Sequence, residues 1–302
     1  MTTDPTEAAR NTKLAFAVMA GSPTPIAENH KTPIQKAEPR TPLPQQVQIR
    51  IDEVLVKLED NGAREATLEG VRKDLEKFAR AVNIDSPEEV KHFISKLKVS
   101  EAYKARLCTS YGAYCKAYKL FWEKPHYNRE SKSFKVPTTE RVNQIIVGCH
   151  TRKLALMLQI SKYGLRPIEV VNLTPENFDF DLNTIMPQTA KRGAARTIKV
   201  EQMLSEAIKR YITEKKIKPN QRLFPIKVKS YSYEFRRVRN RIANNANDPS
   251  IKRIRLYDFR HYFGTLVFSK TQSVAFTANQ LGHRNWKNTK VYVDLDAVLK
   301  QC

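Results

Sequence analysis

From about Val47 onward, apolar residues recur at three- and four-residue steps, and that period predicts helices. Ile51, Val54, Leu55 and Leu58 form the first stripe, which Asn61-Gly62 should end. Thr67 can cap the next helix, placing Leu68, Val71, Leu75, Phe78 and Val82 on one side. Ser86-Pro87-Glu88-Glu89 combines a cap, a first-turn proline and first-turn acids, so a third helix begins there and turns Val90, Phe93, Ile94 and Leu97 to one face. A fourth is expected from about Ser100 to Trp122, through Tyr103, Leu107, Tyr111, Tyr114, Tyr118 and Phe121.

Beyond Ser131–Pro137, a short basic stretch that reads as a linker, Thr138 or Thr139 opens a helix through Val142, Ile145 and Ile146. Lys153 to Tyr163 is another. The pattern then changes to alternation with β-branched residues. It predicts a hairpin with Thr184-Ile185-Met186 on one side, Thr197-Ile198-Lys199-Val200 on the other, and Arg192-Gly193 at the turn. Helices follow from Gln202 to Ile212 and from Ser232 to Ala246, and further helices run to near the C-terminus. The fold class is mostly α with a small antiparallel β-sheet. The expected organisation is a proline-rich mobile tail over 1–45, a helical domain over 46–130, a linker over 131–137 and a second domain over 138–302.

Composition narrows the partners. The 302 residues carry 53 Lys and Arg against 31 Asp and Glu, a net charge of +22. A chain this basic is drawn to polyanions, with nucleic acid first among them; a merely solvated surface is the plainer alternative. The cysteines (Cys108, Cys115, Cys149 and Cys302) form no C-x-x-C pair and read as free thiols of a reducing compartment. Leu14 to Ala20 is apolar after Arg10 and Lys13, but Asp4 and Glu7 argue against a signal peptide. No run approaches the roughly 18 apolar residues that cross a bilayer. A cytoplasmic chain, with no membrane partner, is expected.

The residues that carry chemistry lie in the second half. Arg166 follows a Tyr163-Gly164 break, and Glu169 stands three residues on, placed to orient it, although an ordinary surface pair would look the same. Lys191 lies in the hairpin loop, with Arg192 as its alternative. Tyr257 and Arg260 are three apart and can share a helical face; His261 follows. Leu281-Gly282-His283 comes next, with His283 placed at a helix start, and Tyr292 stands nine residues beyond that histidine. Cleaving a phosphodiester needs an in-line nucleophile, cations for the non-bridging oxygens and an acid for the leaving oxygen. No His, Cys or carboxylate set has metal-ligand spacing, so side-chain cations must serve. Arginine suits this, since its planar fork grips phosphate through parallel hydrogen bonds.

This ordered set, Arg166, Lys191, Tyr257-x-x-Arg260, His283 and Tyr292, resembles that of the tyrosine recombinase (phage integrase) family over about the second half of the chain. The resemblance implies an α+β catalytic domain preceded by a small helical (SAM-like) core-binding domain. It implies Tyr292 as nucleophile, Arg166 and Arg260 as phosphate clamps, Lys191 as the acid for the 5′-hydroxyl and His283 as a phosphate donor. His261, common in that motif, is expected to pack or bond locally. Tyrosine at 257 departs from the family's usual histidine and looks like the variant of some archaeal mobile-element integrases. Double-stranded DNA, a homo-oligomer (a tetramer on paired sites) and no cofactor are implied.

DNA contacts are expected from Lys96, Lys98, Lys104, Arg106, Lys116 and Lys119 on the early helices, and from Arg192, Arg196, Arg236, Arg237, Arg239 and Arg241. The tyrosines among the early lysines are better explained as core. Two other readings stay open: a relaxing type IB topoisomerase, and a DNA-binding protein that has lost the chemistry.

Overall fold

The structure, a computed structural model, describes residues 42–128, 136–188 and 193–292. Most of the expected tail and linker, together with Lys191 and Arg192, lies outside the described residues. The described residues fall into two compact units, divided between Ser133 and Phe134. Among them, no helix is long and apolar enough to cross a membrane.

The first unit is four helices: α1 (Gln45–Asp60), α2 (Glu65–Ala81), α3 (Pro87–Lys96) and α4 (Glu101–Tyr118). Gly62, at φ +79°, turns the chain after α1 as the Asn-Gly pair suggested. The cap at α3 forms as expected, with Ser86 Oγ accepting from the Glu89 amide at 3.4 Å. The expected cap at Thr67 does not form. Helix α2 starts at Glu65, whose carboxylate suits the positive helix end, and Thr67 lies inside its first turn. The fourth helix stops at Tyr118, short of Trp122, because Lys119 takes a left-handed conformation (φ 54°). That turn brings the Trp122 ring edge-on to Tyr111, 4.8 Å between centroids.

The early tyrosines are core. Tyr111 and Tyr114 are fully buried; Tyr111 donates to the Ile84 carbonyl at 2.9 Å and Tyr114 to Asp85 Oδ1 at 2.7 Å. Two of the expected DNA contacts are engaged internally. Arg106 donates to the buried carboxylate of Asp74 at 2.8 Å, and Lys104 donates to the Ser95 carbonyl at 3.2 Å while lying 3.4 Å from Glu101. Lys96, Lys98, Lys116 and Lys119 are exposed.

The second unit contains α5 (Thr139–Val147), α6 (Arg152–Ser161), the short α7 (Pro167–Val171), strands β1 (Phe178–Asp179), β2 (Thr184–Ile185) and β3 (Ile198–Lys199), then α8 (Gln202–Lys215), α9 (Val228–Asn245), α10 (Asp258–Thr271) and α11 (Val274–Leu281). Thr138, not Thr139, caps α5. Every residue of α6 from Leu154 to Ser161 is buried, making it the centre of this core. The hairpin forms with Ile185 opposite Ile198, and β1 adds a third antiparallel strand beside β2 that the alternation had not shown. Phe178–Asp179 lacks the β-branched residues that marked the other two strands.

Helix α9 begins at Val228, four residues before the expected Ser232, because Tyr231 is buried and bonded to Ser161 at 2.9 Å. Of its four arginines, Arg236 and Arg237 are exposed. Arg239 donates to the Ile254 carbonyl at 2.7 Å and Arg241 to that of Gly148, so these two hold the fold.

Tyr111→Phe removes a single hydroxyl and leaves the buried Ile84 carbonyl without its donor. Chemical denaturation should show a loss of about 1–2 kcal/mol.

Candidate active site

Glu169 organises the arginines. The break at Gly164 (φ +81°) ends the α6 segment, and Arg166 stands as the residue before α7. Its amide donates to Glu169 Oε2 at 2.8 Å and its Nη1 to Oε1 at 2.7 Å. Arg196 reaches the same carboxylate from the segment before β3, with Nη2 at 2.7 Å from Oε2 and Nη1 at 3.4 Å from Oε1. The Glu169 side chain is wholly buried and that of Arg196 is 3 % exposed, against 14 % for Arg166. Burial raises the Glu169 pKa, but Arg196 and then Arg166 outweigh it, and the carboxyl is held below its ordinary range. Arg196 is therefore a buried partner of Glu169, not the surface DNA contact expected of it.

Arg260, in the first turn of α10, is 1 % exposed. Its Nη1 donates to the Gly164 carbonyl at 2.7 Å and its Nη2 to the Leu281 carbonyl at 2.5 Å, both at glycine-marked chain breaks. Its buried Nε–H finds no acceptor among the described residues. Burial, then repulsion from Arg166, pulls the guanidinium down to about 10. Two guanidiniums thus share one carboxylate while the third, Arg260, has only carbonyls, and the excess positive charge suits an anion.

Helix α11 ends at Gly282 (φ +63°), where the amides of Gly282 and His283 both turn back, to the carbonyls of Asn279 and Ala278 at 2.9 Å. His283 therefore follows a helix end and does not open a helix, as had been expected; its backbone N–H is used in the turn. A Cβ on Gly282 would lie 2.8 Å from Arg196 Nη1, so glycine also makes room for that arginine. His283 Nδ1 lies 2.8 Å from the hydroxyl of buried Thr289. Burial, followed by Arg260, Arg166 and Arg196, pushes the ring down to about 4, so it is neutral at neutral pH.

Tyr292 is 2 % exposed and packs with Phe268 and Leu281. Its ring lies against α10 at Gly264, where a Cβ would come within 2.5 Å of Cζ. Its hydroxyl is 3.2 Å from His261 Nδ1. His261 was expected to bond locally, yet it contacts a residue 31 positions away. Burial raises the Tyr292 pKa; Arg260 and Arg166 oppose it, Tyr257 adds to it, and the net shift is upward. Tyr257, immediately before α10 and 41 % exposed, sets its ring edge-on to His261 at 5.2 Å.

Arg166, Glu169, Tyr257, Arg260, His261, His283 and Tyr292 thus gather in one place, with Arg196 added. Lys191 and Arg192 lie outside the described residues. Gly264, Leu281 and Thr289 had no role assigned from sequence, and Gly164 only that of a chain break. No spacing rule marks a carbonyl acceptor, or a glycine chosen for the ring above it. Among the described residues, no group of three or more His, Cys, Asp or Glu could hold a metal ion.

Arginines around a buried tyrosine, on a mostly helical frame with a small antiparallel sheet, define the tyrosine recombinase class. Residues 135–298 match the profile of the phage integrase family, and the chain belongs to that family. It is 22 % identical over 156 residues to the tyrosine recombinase XerA of Saccharolobus solfataricus, an alignment covering 51 % of this chain and 50 % of the relative. The chain thus spans about half the length of that curated relative. The fold is similar to that of the Tn1549 transposon integrase, solved in complex with transposon right end DNA (16 % identity, 80 % of this chain and 94 % of that one, TM-score 0.61). It is also similar to a lambda integrase dimer bound to a COC′ core site (13 % identity, 81 % and 94 %, TM-score 0.62).

Two outcomes follow from the buried charges. Glu169→Gln, which leaves Arg166 and Arg196 without a counter-charge, should cost about 3 kcal/mol in denaturant unfolding. His261 and His283, held near 4 against an ordinary 6.5, let the unfolded chain take up protons first as pH falls. Their contribution should be complete above about pH 6.5 and lost progressively toward 4. A His261→Gln/His283→Gln double variant should show a shallower fall of Tm over that window.

Proposed function

We propose that this chain is a site-specific DNA recombinase, the integrase of a mobile element, which cuts and rejoins DNA through a 3′-phosphotyrosyl intermediate. One observation carries the reading: the buried Tyr292 hydroxyl, 3.2 Å from His261, lies in the field of Arg260 and Arg166, the same two arginines that act on His283, where positive charges outnumber negative ones. The scissile phosphate would lie between the two guanidiniums, whose fixed N–H groups favour the charge that grows on its non-bridging oxygens. His283, oriented by Thr289, and the exposed Tyr257 hydroxyl would donate to the same oxygens. Tyr292 Oη attacks phosphorus, the P–O5′ bond breaks, and Lys191, with Arg192 as the alternative, protonates the leaving oxygen. The bond energy stays in the phosphotyrosine, so a 5′-hydroxyl can reverse the step without ATP.

In this reading residues 46–130 grip the duplex and residues 138–302 carry the chemistry. The exposed Lys96, Lys98, Lys116, Lys119, Arg236 and Arg237 contact phosphates, with affinity that falls as salt rises. One cut per protomer on two paired duplexes calls for a tetramer.

The test begins with nicked duplexes of random sequence, selected for binding to the protein. Wild type should form a denaturant-resistant adduct, Tyr292→Phe none, and Arg166→Ala should bind while its adduct falls by roughly 10²-fold or more. Binding without any adduct would leave a DNA-binding protein. An adduct accompanied by site-independent relaxation of supercoiled plasmid would make it a topoisomerase.

A further inference from the structure

Removing P–O5′ and forming Oη–P leaves one proton unassigned, the phenolic one. Tyr292 Oη, buried and 3.2 Å from His261 Nδ1, has a nitrogen at hydrogen-bond distance. We propose that His261 is a catalytic residue of this site, accepting the Tyr292 proton at Nδ1 as the oxygen attacks phosphorus. The inference rests on the strand-cutting reading above.

Geometry favours this in three ways. His261 follows Arg260 in the first turn of α10, so one turn of helix positions both a phosphate clamp and the proton acceptor. The imidazole is braced by the Tyr257 ring and by Tyr292 itself, whose centroids lie 5.2 and 6.1 Å away. Gly264, one turn on, holds the phenol against the same helix, since any larger residue would displace the ring. The contact can be made with either partner donating. Only the tautomer bearing hydrogen on Nε2 leaves the Nδ1 lone pair to receive the phenolic hydrogen.

The groups facing the imidazole set its charge state. Burial lowers its pKa most; Asp258 opposes this, while Arg255 and Arg260 add to it, and His283 lies close enough to interact. The ring is thus neutral and able to accept. Its proximity to Arg260 also links its basicity to the substrate: a phosphate anion on that guanidinium offsets the positive field that weakens the base. In the balanced step, Oη–P forms, P–O5′ breaks, the phenolic proton moves to Nδ1 and the leaving oxygen receives another from its acid. Rejoining returns both.

The test uses the selected duplex with the mapped cut position in two forms, an ordinary phosphodiester and a 5′-bridging phosphorothiolate, whose leaving sulfur needs no acid. His261→Gln retains a hydrogen-bond acceptor but cannot take a proton; His261→Ala removes both. Each should bind DNA normally and form adduct on the order of 100-fold more slowly on both substrates. Independently of any cleavage, Tyr292→Phe should shift the ¹⁵N resonance of His261 Nδ1 in the free protein. Near-wild-type adduct rates for His261→Gln, or their restoration by the phosphorothiolate, would overturn the assignment while leaving the strand-cutting reading intact. A wild type that binds DNA but gives no adduct would remove both.

Discussion

The site depends on the burial of one carboxylate. Glu169 has no exposed side-chain surface, and it holds Arg166 through one edge and Arg196 through the other. A guanidinium taken out of water needs acceptors in fixed positions, and a carboxylate supplies them in the geometry of its fork. Arg260 has no such partner. It rests on two main-chain carbonyls, at Gly164 and Leu281, each beside a glycine with positive φ. Neutral carbonyls accept two of its hydrogen bonds but cancel none of its charge. With its Nε–H unmet among the described residues and its charge uncancelled, this guanidinium is in a state that a bound anion relieves.

That arrangement explains why the chain breaks where it does. At Gly164 a Cβ would lie 2.4 Å from the Phe263 ring of α10, so glycine permits the close approach that brings the carbonyl to Arg260. At Gly282 the left-handed turn ends α11, presents the Leu281 carbonyl to the same guanidinium and leaves space for Arg196. Gly264 performs the third such task, admitting the Tyr292 ring against α10. Three glycines, widely separated in sequence, bring α10, the end of α11 and the segment before α7 close enough for their polar groups to meet.

How much of this was legible beforehand follows from the length of the pattern involved. Helices with several apolar turns, such as Glu65–Ala81 and Arg152–Ser161, show their period plainly, and Ser86-Pro87-Glu88-Glu89 marks its start chemically. Strand β1, Phe-Asp, lacks the β-branched side chains that revealed the equally short β2 and β3, and the left-handed Lys119 that ends α4 early has no glycine or asparagine to announce it. The candidate site residues that the structure gathers were picked out because their order resembled a known constellation, not because any one was distinctive. Arg196 and His261 were misread for a shared reason. An arginine in a basic segment and a histidine beside an arginine are locally ordinary, and only the fold shows that one meets a buried glutamate and the other a distant tyrosine.

The buried tyrosine poses an apparent contradiction, since desolvation makes its proton harder to remove just where the proposed reaction wants a nucleophile. The resolution lies in which state the surroundings favour. In the free protein Arg260 and Arg166 already oppose the effect of burial on the phenol, while two neutral imidazoles add no charge. In the proposed reaction, as Oη approaches phosphorus, negative charge would leave the phenol and spread over phosphoryl oxygens that the same guanidiniums would face. In that reaction the cost of burial would fall on the resting hydroxyl, and the benefit of fixed cations would be greatest at the pentavalent stage. An exposed tyrosine would ionise more readily, but water would screen the arginines that make ionisation productive. In the proposed reaction, burial of the nucleophile and excess of cation would therefore be one device: each is unfavourable alone, and together they would place the lowest free energy of the charge on the reacting phosphate.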